Sequence, residues 1–211
     1  MIVLIDNGHG VNTPGKRSPD GRLREYKYAR EIANRVVDRM KGCGVDARRI
    51  VTEEEDISLG ERCRRVNAVC KEYGAKNVLL VSIHVNAAGN GKWMNARGWS
   101  AYTSVGQTGG DKLADCLYEA AELYLGDYAK TFTADETAAH QKAIRKDTSD
   151  GDPDIEASFY ILKHTSCAAV LTENMFQDNK KDVAYLLSED GRDAIVNIHC
   201  CGIEQYIHEN E

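Results

Sequence analysis

Four side chains in this sequence have types and settings that suit catalysis: His9, Glu25, His84 and Glu173. His9 stands between Gly8 and Gly10, immediately after the apolar run IVLID (2–6). The flanking glycines permit a tight backbone path and leave room beside the imidazole. His84 ends the apolar run VLLVSIHV (78–85) and is followed closely by Asn86. Glu25 precedes Ala29, Ile32 and Ala33 by four, seven and eight residues, so it continues the apolar stripe of a helix toward its N-terminus. A carboxylate on a buried face must be paired, because an unpaired buried charge costs several kcal/mol. Two imidazoles and a carboxylate suit Zn²⁺, with a fourth position left for water. Glu173 closes the apolar run AAVL (168–171) after Thr172, where a carboxylate is costly unless it is paired or used. It is placed to act as a general base.

Each of these residues also has a plainer reading. Either histidine alone is a hydrogen-bonded structural residue. Glu25 is then the exposed end of its stripe or half of an ion pair, and Glu173 is a helix cap or half of a salt bridge. The spacing holds no contiguous HExxH helix, so the ligand set depends on the fold to assemble it.

The elements that must position these residues follow from periodicity. Residues 2–6 predict a buried strand, and 11–22 a loop. A helix follows from about Leu23 to Lys41, striped by Ala29, Ile32, Ala33, Val36, Val37 and Met40 and ended by Gly42 and Gly44. Residues 45–51 predict a second strand. Leu59, Cys63, Val66, Cys70 and Tyr73 mark a second helix. Strands are expected at 78–85, 98–103, 158–162 and 168–173, with helices at 110–125, within 134–147, near 179–187 and over 191–208. Strands alternating with helices predict a three-layer α/β domain with a mostly parallel sheet flanked by helices. In such sheets ligands bind beyond the carboxyl ends of the strands, where His9, His84 and Glu173 fall.

Composition narrows the function. The chain has 211 residues, with 27 Lys+Arg against 33 Asp+Glu, a net charge of −6. That length suits one domain over 1–211, without repeats or linkers. The acidic balance argues against a broad grip on nucleic acid and gives no net attraction to anionic wall polymers. No apolar run approaches the ~20 residues of a membrane span. The N-terminus lacks the pattern of a signal peptide, so synthesis in the cytoplasm is expected. Seven cysteines without a CxxC pair suit reduced, mostly buried thiols.

The same elements, in order, resemble the zinc-dependent N-acetylmuramoyl-L-alanine amidases of the type-3 catalytic domain. Four pieces carry the resemblance: IVLIDNGHG (2–10); Glu25 with Ile32-Ala33 and Gly44-Val45; Leu59, Arg62 and Asn67 followed by SIHVNA (82–87); and FYIL (159–162), AVLTE (169–173), Phe176 and Asn179. The resemblance implies that His9, Glu25 and His84 hold Zn²⁺ and that Glu173 is the catalytic glutamate. It implies a central, mostly parallel sheet of about six strands. It also implies cleavage of the amide between N-acetylmuramic acid and the L-alanine of the peptidoglycan stem peptide. A compact amidase without an evident signal suggests a phage endolysin that acts at the cell wall after release, with a bacterial wall-remodelling enzyme whose signal was trimmed as the alternative. The sequence departs from the family at Tyr26, which follows Glu25, at Thr172 before Glu173, and at Cys167-Ala168, where proline is usual. Asn86 is a candidate to orient a ligand or bind substrate, with turn capping as its plainer role. Arg17 and Arg62 are candidates to pair with stem-peptide carboxylates, with surface or helix pairing as theirs. Trp93, Trp99 and Tyr102 suit packing more than sugar stacking. Residues 126–155 match the family least, and His140 falls among them. A zinc peptidase of related fold and a catalytically silent wall-binding module are the alternatives, although the second predicts a lost ligand or base.

Overall fold

The computed structural model describes residues 1–210. Its centre is one six-stranded sheet. The strands are β1 (Ile2–Asn7), β2 (Asp46–Arg49), β3 (Val78–Asn86), β4 (Ser100–Thr103), β5 (Ile155–Glu156) and β6 (Ala168–Phe176), in the spatial order β2-β1-β3-β6-β4-β5. β2, β1, β3 and β6 run parallel; β4 pairs antiparallel with β6, and β5 runs parallel to β4. The three central parallel strands β1, β3 and β6 are buried along almost their whole length, which is why they read as apolar runs, whereas the edge strand β2 (DARR) does not.

Alternate residues serve the two faces. Val3, Ile5, Leu79, Val81 and Ile83 meet α1 (Glu25–Gly42), α3 (Gly109–Tyr124), α7 (Lys180–Leu187) and α8 (Glu189–Glu209). Ile2, Leu4, Val78 and Leu80 meet α2 (Leu59–Tyr73) and α6 (Tyr160–Lys163). The mostly parallel three-layer α/β fold is the expected one, but three elements differ. The segment 158–162 is not a strand. Its Ile161 and Leu162 are adjacent and both buried, so they pack as the short helix α6 against α2. The sixth strand is instead the two-residue β5, which exists only through its register with Tyr102 and Thr103.

The helix expected within 134–147 is confined to α5 (Ala134–Ala138), started by a capping box between Thr133 and Glu136. It stops because His140 adopts a left-handed backbone (φ 58°) and Ile144 then runs extended beside Trp99. The short α4 (Gly126–Ala129) precedes it. Buried Arg97 ties this region down, donating to Asp182 at 3.1 Å, Glu136 at 3.0 Å and Thr131 at 3.1 Å, with its guanidinium over Phe132. Trp99 is fully buried and donates to Asn174 at 3.0 Å, a packing role. Cys63, Cys70, Cys116 and Cys200 are buried, whereas Cys43 is exposed.

Candidate metal centre and active site

β1, β3 and β6 end side by side, and their ends assemble the site. Ile83 pairs with Asn7, one residue from Gly8, and His84 lies opposite Glu173 in the β3–β6 register. Glu25, the first residue of α1, points back over these strand ends and is 1% exposed. Its Oε1 stands 3.1 Å from His84 Nδ1 and 3.4 Å from His9 Nε2. The same oxygen accepts the Val85 N–H at 3.1 Å, and Oε2 accepts Gln177 Nε2 at 3.4 Å. One ligand atom from each of His9, Glu25 and His84 lies within 4.8 Å of the others, and this is the one such group of three or more among the described residues.

These donors fit a zinc ion. Two donors each about 2.1 Å from a tetrahedral centre stand about 3.4 Å apart, and the two separations from Glu25 are 3.1 and 3.4 Å. Among the described residues the buried carboxylate has only Lys16 Nζ, 4.0 Å from Oε2, as a permanent cationic neighbour, so a divalent cation between the three side chains would supply compensation it otherwise lacks. Burial by itself would raise the Glu25 pKa, but the hydrogen bonds and charges of His84 and His9 outweigh it and hold the carboxyl well below its ordinary range. For His84, burial acts to lower the pKa, and the paired Glu25 reverses it to a net rise.

The local chain is shaped around the two imidazoles. His9 itself takes the left-handed conformation (φ 61°), which the sequence alone would assign to its glycine neighbours. The glycines serve close approach instead. A Cβ on Gly8 would stand 2.3 Å from the His84 ring, and one on Gly10 would stand 2.0 Å from the Asp56 backbone nitrogen. Two buried arginines brace the strained His9 peptide. Arg30 donates to the His9 carbonyl at 2.9 Å and Arg62 at 3.4 Å. Arg62 also pairs with Asp6 at 2.5 Å and Asp56 at 3.0 Å, and donates to the Asn7 and Ile57 carbonyls. With 2% of its side chain exposed, Arg62 has no free edge for a stem-peptide carboxylate, and its placement accounts for it as a brace. Arg30 carried no signal in the sequence, since an arginine on a helix reads as surface.

Glu173 faces the pocket over this group. Its Oε2 is shielded from solvent and accepts no hydrogen bond. Burial, with Glu25 adding to it against the opposing charges of His84 and Lys16, pushes its pKa up to about 7. A carboxyl group in such a setting is suited to proton transfer.

That pocket has a volume of about 590 Å³ and is lined by His9, His84, Glu173 and Lys16, with Leu59 and Tyr160 on its apolar wall. A larger cavity of about 900 Å³ opens near the other ends of the strands, but among the described residues no histidine, aspartate or glutamate lines it. No residue of 126–155 lines the smaller pocket, so that segment is not a wall of it. Asn86 accepts the Ala87 N–H on Oδ1 at 2.8 Å, a turn-capping contact, and does not line the pocket either. Arg17 is exposed, bridges to Arg24 and lines a separate groove with Tyr26.

The family model described as N-acetylmuramoyl-L-alanine amidase matches residues 3–205. The chain belongs to that family. It is similar to the endolysin of Bacillus phage SPP1, 27% identical over 98% of this chain and 66% of that protein. It is also similar to the N-acetylmuramoyl-L-alanine amidase AmiC of Neisseria meningitidis, 24% identical over 98% of this chain and 53% of that protein. The chain thus spans between about half and two thirds of these curated relatives. Among solved structures, the catalytic domain of CwlV, an amidase from Bacillus (Paenibacillus) polymyxa var. colistinus, shares the fold, with a TM-score of 0.74 at 20% identity and 98% of both chains covered. In this chain the residues that converge are His9, Glu25, His84 and Glu173; Asn86, Arg17 and the 126–155 segment lie apart from them.

Proposed function

We propose that the chain, as a single catalytic domain, hydrolyses the amide between N-acetylmuramic acid and the L-alanine of the peptidoglycan stem peptide, with zinc held by His9, Glu25 and His84. The observation that carries this reading is the two-histidine, one-carboxylate group beside a desolvated glutamate, in a chain of the amidase family. A zinc ion bound there supplies a Lewis acid for the scissile carbonyl and makes water nucleophilic at neutral pH.

The chain's own residues do the rest. Glu173 accepts the proton of the attacking water as the C–O bond forms, then delivers it to the alanine nitrogen as the C–N bond breaks. Burial of its carboxyl favours the protonated form, so the proton it takes from water is held until the alanine nitrogen accepts it. Arg30 and Arg62 hold the His9 peptide, and the Val85 N–H and Gln177 hold the Glu25 carboxylate, so the donors stay in place as charge redistributes. A silent wall-binding module has no use for a desolvated carboxylate beside the ligand set, which favours the hydrolase. No helix among the described residues is long and apolar enough to cross a membrane.

Peptidoglycan incubated with the purified protein and zinc is expected to gain free alanine amino groups without new reducing sugar ends. New reducing ends without amines would overturn the reading.

A further inference from the structure

The pocket over the ligand set has two chemically opposed sides. On one side Lys16, from the β1–α1 loop, brings an ammonium whose only carboxylate within 4.0 Å, among the described residues, is Glu25. Glu25 is already engaged by His9, His84, the Val85 N–H and Gln177. The Lys16 side chain is 40% exposed. Its backbone carbonyl anchors the loop by accepting the Glu25 N–H at 3.0 Å, while the side chain leaves the fold's hydrogen bonding untouched. Arg62 is the other cation lining the pocket, and its guanidinium is spent on Asp6, Asp56 and backbone carbonyls. Lys16 therefore offers the pocket's one available set of cationic donors.

The other side, from the start of α2 and the segment entering α6, is apolar. Leu59, Phe159 and Tyr160 are 51%, 36% and 45% exposed there. Tyr160 stacks on His164 with centroids 3.9 Å apart, and Phe159 packs edge-on against Tyr102, so this wall is held rigid. A substrate carboxylate is stabilised against Lys16 and penalised against that wall.

We infer that Lys16 is a specificity-determining residue that binds the α-carboxylate of the second residue of the stem peptide. The inference rests on the amidase reading. In that substrate the scissile nitrogen belongs to alanine, and the next residue carries either a free α-carboxylate or a carboxamide. Two extended residues span about 7 Å, so that group falls inside the pocket that holds both Glu173 and Lys16. A carboxylate there accepts charge-assisted hydrogen bonds from the ammonium, which a carboxamide replaces with weaker neutral ones. The sequence gives no hint of this, because a lysine in a glycine- and proline-rich loop reads as solvated surface.

The test uses two synthetic muropeptides that differ only in this group, carboxylate or carboxamide, and compares kcat/KM for the wild type, Lys16→Met and Lys16→Glu. The wild type is expected to favour the carboxylate by about tenfold, mostly through KM. The ratio should collapse toward one in Lys16→Met and invert in Lys16→Glu. Metal analysis of each variant should find zinc bound as in the wild type. A wild-type ratio of one, or a ratio unmoved by either substitution, overturns the inference. An equal fall on both substrates also overturns it, because Lys16 would then serve the scissile bond or the fold. If the wild type cleaves neither muropeptide, it is the amidase reading that fails.

Discussion

Gly8→Ala isolates the dependence of the site on the position of one imidazole. The added Cβ would stand 2.3 Å from His84 Cε1, 2.4 Å from Nδ1 and 2.8 Å from Nε2. Ordinary contact begins near 3.4 Å, so the ring must withdraw by roughly 1 Å. Gly8 does not use a left-handed backbone, so alanine is tolerated there by the chain itself. Overpacking of this kind costs about 1–3 kcal/mol, which for a domain of this size lowers Tm by roughly 2–12 °C. The function suffers more. Zinc–nitrogen bonds hold to within about 0.2 Å, and a 1 Å misplacement costs about 10²-fold in rate. Competition titration against a chromogenic chelator should show zinc affinity reduced about 10²-fold, with kcat falling by a similar factor at zinc concentrations that saturate the wild type. Gly42→Ala, where nothing lies within 4 Å of the new Cβ, should change neither. If Gly8→Ala binds zinc and turns over like the wild type, His84 is not the ligand that this geometry makes it.

Three further outcomes are expected. Glu173→Gln should retain zinc, measured by metal analysis, while kcat drops by about 10²–10⁴-fold; full activity with metal bound would exclude Glu173 as the proton carrier. Arg62→Met should destabilise the fold by about 3–5 kcal/mol in urea unfolding, because Asp6 is left buried and unpaired; a neutral result would mean that the arginine does not brace the His9 loop. Stability should also fall in mild acid. Burial lowers the pKa of His199 from 6.5 to about 4, and the ring sits between the Ile195 carbonyl and the Thr172 hydroxyl. Between those values the unfolded chain binds the extra proton, so stability is complete above about pH 6.5 and declines toward pH 4, by about 3 kcal/mol from this residue. His199→Gln should flatten that part of the profile; an unchanged slope would assign it to other groups.

The strand ends and the four chemical residues were legible because burial on both faces writes long apolar runs, and a polar residue that ends such a run stands out. Glu25 was legible for the same reason, as a carboxylate on an apolar helical stripe. Arg62 occupies a comparable position, four residues before Val66, yet its role depends on Asp6, which is 56 residues away. No spacing rule encodes that pairing. Phe159 to Leu162 read as a strand because four apolar residues in a row carry no period, and only their packing against α2 selects a helix. β5 is two residues long and is defined by its partner strand rather than by its own pattern. The left-handed turn at His140 ended a helix that propensity alone would have continued. Lys16 was invisible for the opposite reason: nothing constrains an exposed loop lysine until the fold brings it beside Glu25.

The central claim is the bond that breaks. Mass analysis of the products of one defined muropeptide, with the zinc-loaded protein, tests it most directly. Two products that together gain one water are expected: the intact sugar bearing a free lactyl carboxylic acid, and the complete stem peptide with an alanine amino terminus. A peptide cut at an internal bond, a cut between sugars, or an uncleaved substrate in the presence of bound zinc would contradict it.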